Sequence, residues 1–118
     1  NRNIVFITIR PVRYTYELIE KTNNFTLTFF DEKYRNILNF CGTKSGRKVD
    51  KIKETGLTPI KEDGYIYYKE ATYAIFCKKL YFTDIDPKNF IEKDIESLYP
   101  KKDYHRMYIG EIVKVKRK

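Results

Sequence analysis

A small, mainly β protein with a few short helices, its strands curling into a barrel, is what this sequence predicts. Three observations point there. Phe25-Thr26-Leu27-Thr28-Phe29 alternates apolar and polar at period two, as a half-buried strand does. Thr72 to Thr83 reads as one strand, long enough that it should bend around a barrel rather than lie flat. Aromatic residues make up 16% of the chain as Tyr and Phe with no Trp, and such rings suit pleated strand faces. At 118 residues there is room for one core, so residues 1–118 are read as a single domain.

The elements follow in order. Asn3 to Arg10 is a strand rich in β-branched residues, expected to be covered on both faces, and Pro11 stops it. Thr15 is placed as N-cap of a short helix ending near Asn23-Asn24. Asp31 should cap a second helix, with Tyr34, Ile37, Leu38 and Cys41 along one face and Gly42 as its stop. Ser45 opens a further short helix that closes at Gly56, with Val49 and Ile52 inward. Asp63-Gly64 is a hairpin signal between Leu57–Ile60 and Tyr65–Tyr68. Asp84 to Pro100 is a loop region with at most one helical turn near Ile91 to Leu98, and Tyr104 to Lys116 is the closing strand.

Charge and composition narrow the function. The balance of 24 Lys+Arg against 16 Asp+Glu gives +8, which favours anionic partners such as nucleotides, nucleic acid or acidic surfaces. Cys41 and Cys77 lack CxxC spacing, which argues against a disulfide scaffold or zinc ribbon and for a reducing compartment. His105 is the one histidine, so a multi-histidine metal site cannot form within the chain, and no metal is expected. No apolar run reaches membrane-spanning length and no secretory signal is present, so a cytoplasmic location with no membrane partner is expected.

Two clusters join cations, hydroxyls and helix starts. Arg10-Pro11-Val12-Arg13-Tyr14-Thr15 leaves the first strand, and Thr43-Lys44-Ser45-Gly46-Arg47-Lys48-Val49-Asp50-Lys51 opens the later helix. A guanidinium fork beside backbone N–H groups suits phosphate oxygens. On residue types alone, surface arginines and ordinary caps describe the same residues equally well. Neither G-x-x-x-x-G-K-[ST] nor G-x-G-x-x-G is present, so a nucleoside triphosphatase and a Rossmann site are unsupported. An alternative is a non-enzymatic nucleic-acid-binding small barrel, favoured by net charge and exposed rings. The interleaving of acidic residues and the lack of an RNA-binding signature argue against it.

Taken in order, Arg10-Pro11-Val12-Arg13-Tyr14-Thr15-Tyr16-Glu17, Cys41 to Lys51, Gly56-Leu57-Thr58-Pro59 and His105-Arg106-Met107-Tyr108-Ile109-Gly110-Glu111-Ile112 resemble the flavin reductase-like, FMN-binding split-barrel family, its flavoredoxin-type members above all. The resemblance implies a Greek-key split barrel, non-covalent FMN and a homodimer with the flavin near the subunit interface. It implies an oxidoreductase or electron-transfer flavoprotein fed by a nicotinamide cofactor or a redox protein partner. Arg10, Tyr14 and Thr15 would lie at the FMN phosphate with Arg13 close by. Ser45, Gly46, Arg47 and Lys51 would approach from the other side, and His105 would stand near the ring edge where a donor arrives. Family members carry an N-terminal segment with a further strand, whereas this chain opens with Asn1, so the first barrel strands are expected to be missing from it.

Overall fold

The fold was obtained as a computed structural model that describes residues 2–43, 53 and 55–118, with the backbone alone for 41–43. Six strands run through it: β1 (Ile4–Ile9), β2 (Asn24–Phe29), β3 (Pro59–Glu62), β4 (Tyr65–Tyr68), β5 (Tyr73–Asp84) and β6 (Arg106–Arg117). Among the described residues, the helices α1 (Tyr14–Glu20) and α2 (Arg35–Thr43) and short 3-10 turns at Glu32–Tyr34, Pro87–Asn89 and Lys93–Leu98 lie between them, and Lys53 and Thr55 are also helical.

Four strands form one sheet in the order β1-β6-β5-β2, antiparallel throughout, while β3 and β4 pair as a separate hairpin. The two long strands are the spine. β2 pairs along the first half of β5, from Tyr73 to Lys78, and β1 along the first half of β6, from Arg106 to Glu111. Because β5 and β6 are antiparallel, these outer strands sit at opposite ends of the spine. Register shifts at Phe76/Cys77 and Lys79/Tyr81 bend it. The sheet therefore curls into a half-barrel, mainly β with few short helices, as the long strand foretold.

One face of the sheet holds the main core. Val5, Ile7 and Ile9 of β1 pack with Ile19 of α1, Phe25 and Leu27 of β2, Ile75 and Cys77 of β5, and Tyr108 and Ile112 of β6. Gly110 makes this possible: a Cβ there would stand 2.6 Å from Phe25 Cζ, so only glycine lets that ring lie across β6. A second cluster forms on the other face, where the hairpin lays Tyr65 flat on Phe76 at 4.5 Å between centroids and 9° between planes, beside Ala74. The hairpin turn is Asp63-Gly64 with φ of 53° and 83°, the positive pair a two-residue turn requires. Glu62 then bridges the hairpin to the sheet, accepting from Lys114 Nζ at 3.0 Å and Lys116 Nζ at 2.8 Å.

Four sequence expectations need correction. β1 is covered on one face only: Ile4 and Phe6 remain 46% and 59% exposed, because the hairpin reaches over Ala74 and Phe76 but not as far as β1. An apolar run cannot say which of its faces has a neighbour. The first helix is capped by Arg13 rather than Thr15, without a side-chain bond, and ends at Glu20. Pro11 sets a tight turn in which Arg13 N donates to Arg10 O at 3.0 Å, so the helix enters two residues early. Asp31 precedes a 3-10 turn, and its carboxylate takes the Thr72 hydroxyl at 2.8 Å instead of capping. Gly42 lies within α2, which runs on to Thr43.

Candidate functional site

Register places two of the expected site residues together. Ile9 pairs with Arg106, so the residues one step beyond, Arg10 after β1 and His105 before β6, emerge at the same end of the sheet. The segment from Pro87 to Tyr104 folds back over this end and supplies the side chains between them. The Arg10 guanidinium lies over the Tyr99 ring at 4.6 Å, donates through Nη2 to the Leu98 carbonyl and stands 3.8 Å from Asp103 Oδ2 through Nε. That Nε is a buried N–H with no hydrogen-bond partner among the described residues. Tyr99 in turn bonds His105, hydroxyl to Nδ1 at 2.6 Å, with the two rings edge to face.

Phe90 and Tyr104 complete an aromatic nest around Tyr99, with centroids at 6.1 Å and 4.9 Å. Tyr104 donates its hydroxyl to Glu96, and that bond beside a carboxylate pushes its phenol up to about 12. Sequence reading missed Phe90, Tyr99 and Tyr104. The signal available was the density of rings in a segment otherwise lacking strand or helix pattern.

Arg13 and Thr15 sit on the adjoining turn and the first turn of α1, both exposed. Their side chains make no hydrogen bond or ion pair among the described residues. Tyr14 is half-buried and engaged. Ser45, Gly46, Arg47 and Lys51, and with them the helix expected from Ser45, lie outside the described residues. A phosphate group nonetheless fits what is seen here: two exposed donors, on Arg13 and Thr15, that make no contact among the described residues, close along the chain to the Arg10 guanidinium.

Further in, α1 is fastened to the sheet by charge. Arg106 grips Asp84 with two nitrogens at 2.7 and 3.0 Å and reaches Glu20 at 2.9 Å, while its guanidinium lies 4.3 Å from the Phe82 ring centroid. Tyr108, fully buried, donates to the same Glu20 oxygen at 2.5 Å. The Tyr108 hydroxyl and then Arg106 hold the Glu20 carboxyl below its usual range against the opposing effect of burial. Burial first, then the bond to Glu20, raises the Tyr108 phenol. The result ties the end of α1 to β5 and β6 through one carboxylate.

A depression of about 200 Å³ lies elsewhere, between the hairpin and the end of β6, lined by Tyr67, Lys69, Lys116, Arg117 and others. It is at the far end of β6 from His105. Among the described residues no group of three or more His, Cys, Asp or Glu is placed to hold a metal ion, and no helix is long and apolar enough to cross a membrane.

The chain belongs to the flavin reductase-like family: residues 3–118 match the model of the flavin reductase like domain. Among solved structures it is similar to flavoredoxin of Desulfovibrio vulgaris (Miyazaki F), at 25% identity and a TM-score of 0.73 over 98% of this chain and 53% of that one. It is similar to flavoredoxin from Methanosarcina acetivorans, at 18% identity and 0.75 over 100% and 57%. It also resembles an FMN-binding protein from Thermus thermophilus with bound p-hydroxybenzaldehyde, at 21% identity and 0.74 over 98% and 55%. The chain thus spans little more than half the length of each. No curated protein sequence matches it.

Proposed function

We propose that this domain binds FMN and passes electrons through it from a nicotinamide or protein donor to an acceptor, as a flavin reductase-like oxidoreductase. The single observation that carries the reading is the meeting of Arg10 and His105 at one end of the sheet, with Arg13 and Thr15 unengaged beside them. Arg13 and Thr15 would bind the phosphate, with the Arg10 guanidinium, held by Leu98 and Asp103, adding positive charge beside them. Ser45, Gly46, Arg47 and Lys51 are the proposed second side of that grip. When bound, the flavin supplies the electron-accepting ring, so the chain itself needs no nucleophile and no acid–base pair.

His105 stands at the proposed donor edge, held by Tyr99, and the aromatic nest of Phe90, Tyr99 and Tyr104 would keep water from that side. A cytoplasmic homodimer completes the reading, with residues 1–118 as one domain of it. The absorption spectrum of the purified protein, before and after FMN, is the direct test. Flavin bands that stay with the protein through gel filtration are expected. A protein that remains colourless after incubation with FMN would rule the reading out.

A further inference from the structure

We infer that Tyr99 is a positioning residue that fixes the tautomer of His105, so that the imidazole offers a protonated Nε2 to an oxygen acceptor on the incoming redox partner. A carbonyl or carboxamide oxygen is the chemistry that such a donor recognises. The role in recognition rests on the function proposed above, whereas the tautomer does not.

The geometry sets the direction of the bond. Tyr99 is buried, at 8% exposed, and its hydroxyl lies 2.6 Å from His105 Nδ1. A hydroxyl can donate one proton, and a neutral imidazole has one accepting nitrogen. Were Nδ1 the protonated nitrogen, it would donate to Tyr99, and the phenol proton would then have no acceptor among the described residues. Buried polar groups are rarely left so. With Tyr99 donating, the phenol proton and the Nδ1 lone pair satisfy each other, and the imidazole proton is placed on Nε2.

The surroundings reinforce this choice. The Arg10 guanidinium over the Tyr99 face draws electron density from the ring and strengthens its O–H as a donor. The nearby carboxylates are engaged elsewhere, Asp103 facing Arg10 and Glu96 taking the Tyr104 hydroxyl. Neither competes for a proton on Nδ1. His105 Nε2 makes no hydrogen bond among the described residues, so its N–H is unspent. Arg10 thus has a part beyond any phosphate contact: through Tyr99 it steadies the histidine.

Since His105 is the one histidine of this chain, its imidazole signals are unambiguous in a two-bond ¹H–¹⁵N spectrum of the chain without added flavin, recorded at alkaline pH. The expected spectrum has Nδ1 in the unprotonated range and Nε2 in the protonated range. In Tyr99→Phe the two shifts should move toward each other, with the tautomer ratio falling about two- to tenfold, the span of one ordinary hydrogen bond. A protonated Nδ1 in the wild type would overturn the inference, as would a Tyr99→Phe spectrum identical to it. Should Tyr99→Phe fail to fold, the wild-type spectrum decides alone, a free-imidazole mixture counting against the assignment. Because this measurement needs no flavin, failure to bind FMN would sink the proposed function and leave the tautomer result standing.

Discussion

Gly110→Ala is the substitution whose outcome the packing fixes most sharply. An added Cβ would stand 2.6 Å from Phe25 Cζ, 2.8 Å from Cε1 and 3.3 Å from Cys77 Cβ. Carbon atoms rest at about 3.5–4.0 Å, so the ring must retreat by roughly 1 Å. It has nowhere to go: Phe25 is 7% exposed and shares its cluster with the fully buried Cys77 and Tyr108. Overpacking of this kind costs about 1–3 kcal/mol. The intrinsic preference runs the other way, since alanine in a strand is favoured over glycine by about 0.5–1 kcal/mol. The steric term is the larger, so the net sign is destabilising. In a domain of this size that lowers Tm by roughly 3–10 °C, read by circular dichroism or calorimetry. Phe25→Leu removes the clashing atoms, and the double variant should therefore lose less than the sum of the two singles. A Tm that rises in Gly110→Ala, or strict additivity in the double variant, would refute the reasoning.

Other consequences can be checked in parallel. Glu20 has its folded-state pKa depressed below 4.5, so its contribution to stability is present above that value and is lost as pH falls through the folded value. Glu20→Gln should lower stability at neutral pH and flatten the acid limb of a denaturant-midpoint against pH curve; an unchanged limb would place the acid sensitivity elsewhere. Glu62→Gln releases Lys114 and Lys116 together, so amide exchange in the hairpin should quicken while that in β1 and β6 near His105 stays as it was. Arg10→Ala should weaken FMN binding by about tenfold or more through loss of a charge-assisted contact, and should also free the segment over Tyr99, seen as faster exchange at Leu98 and Tyr99. Unaltered FMN affinity would remove Arg10 from the phosphate set.

The fold was legible wherever a residue pattern has a single structural solution. Alternation in Phe25–Phe29, the Asp63-Gly64 turn and the length of β5 all led to the strands observed. What could not be read were properties settled by distant partners. Asp31 has the chemistry of a cap, yet the Thr72 hydroxyl, brought close by β2–β5 pairing, takes its carboxylate. The apolar run of β1 gives no hint that its outer face lacks the hairpin. Arg10 and His105 were each singled out from sequence, but their meeting depends on the β1–β6 register, and Tyr99 between them belongs to a segment with no periodic pattern. The pairing of the first cluster with Ser45–Arg47 is a proposal that the described residues do not reach.

That pairing is tested most directly by comparing FMN with riboflavin, which differ only in the phosphate, on the wild type, Arg13→Ala, Arg47→Ala and the double variant. A shared grip predicts that the wild type prefers FMN by well over tenfold and that each single variant loses about ten- to a hundredfold of that preference. The double variant should then lose less than the two losses combined, because both arginines hold one group. Equal affinity for the two flavins in the wild type, or a preference untouched by either substitution, would contradict it.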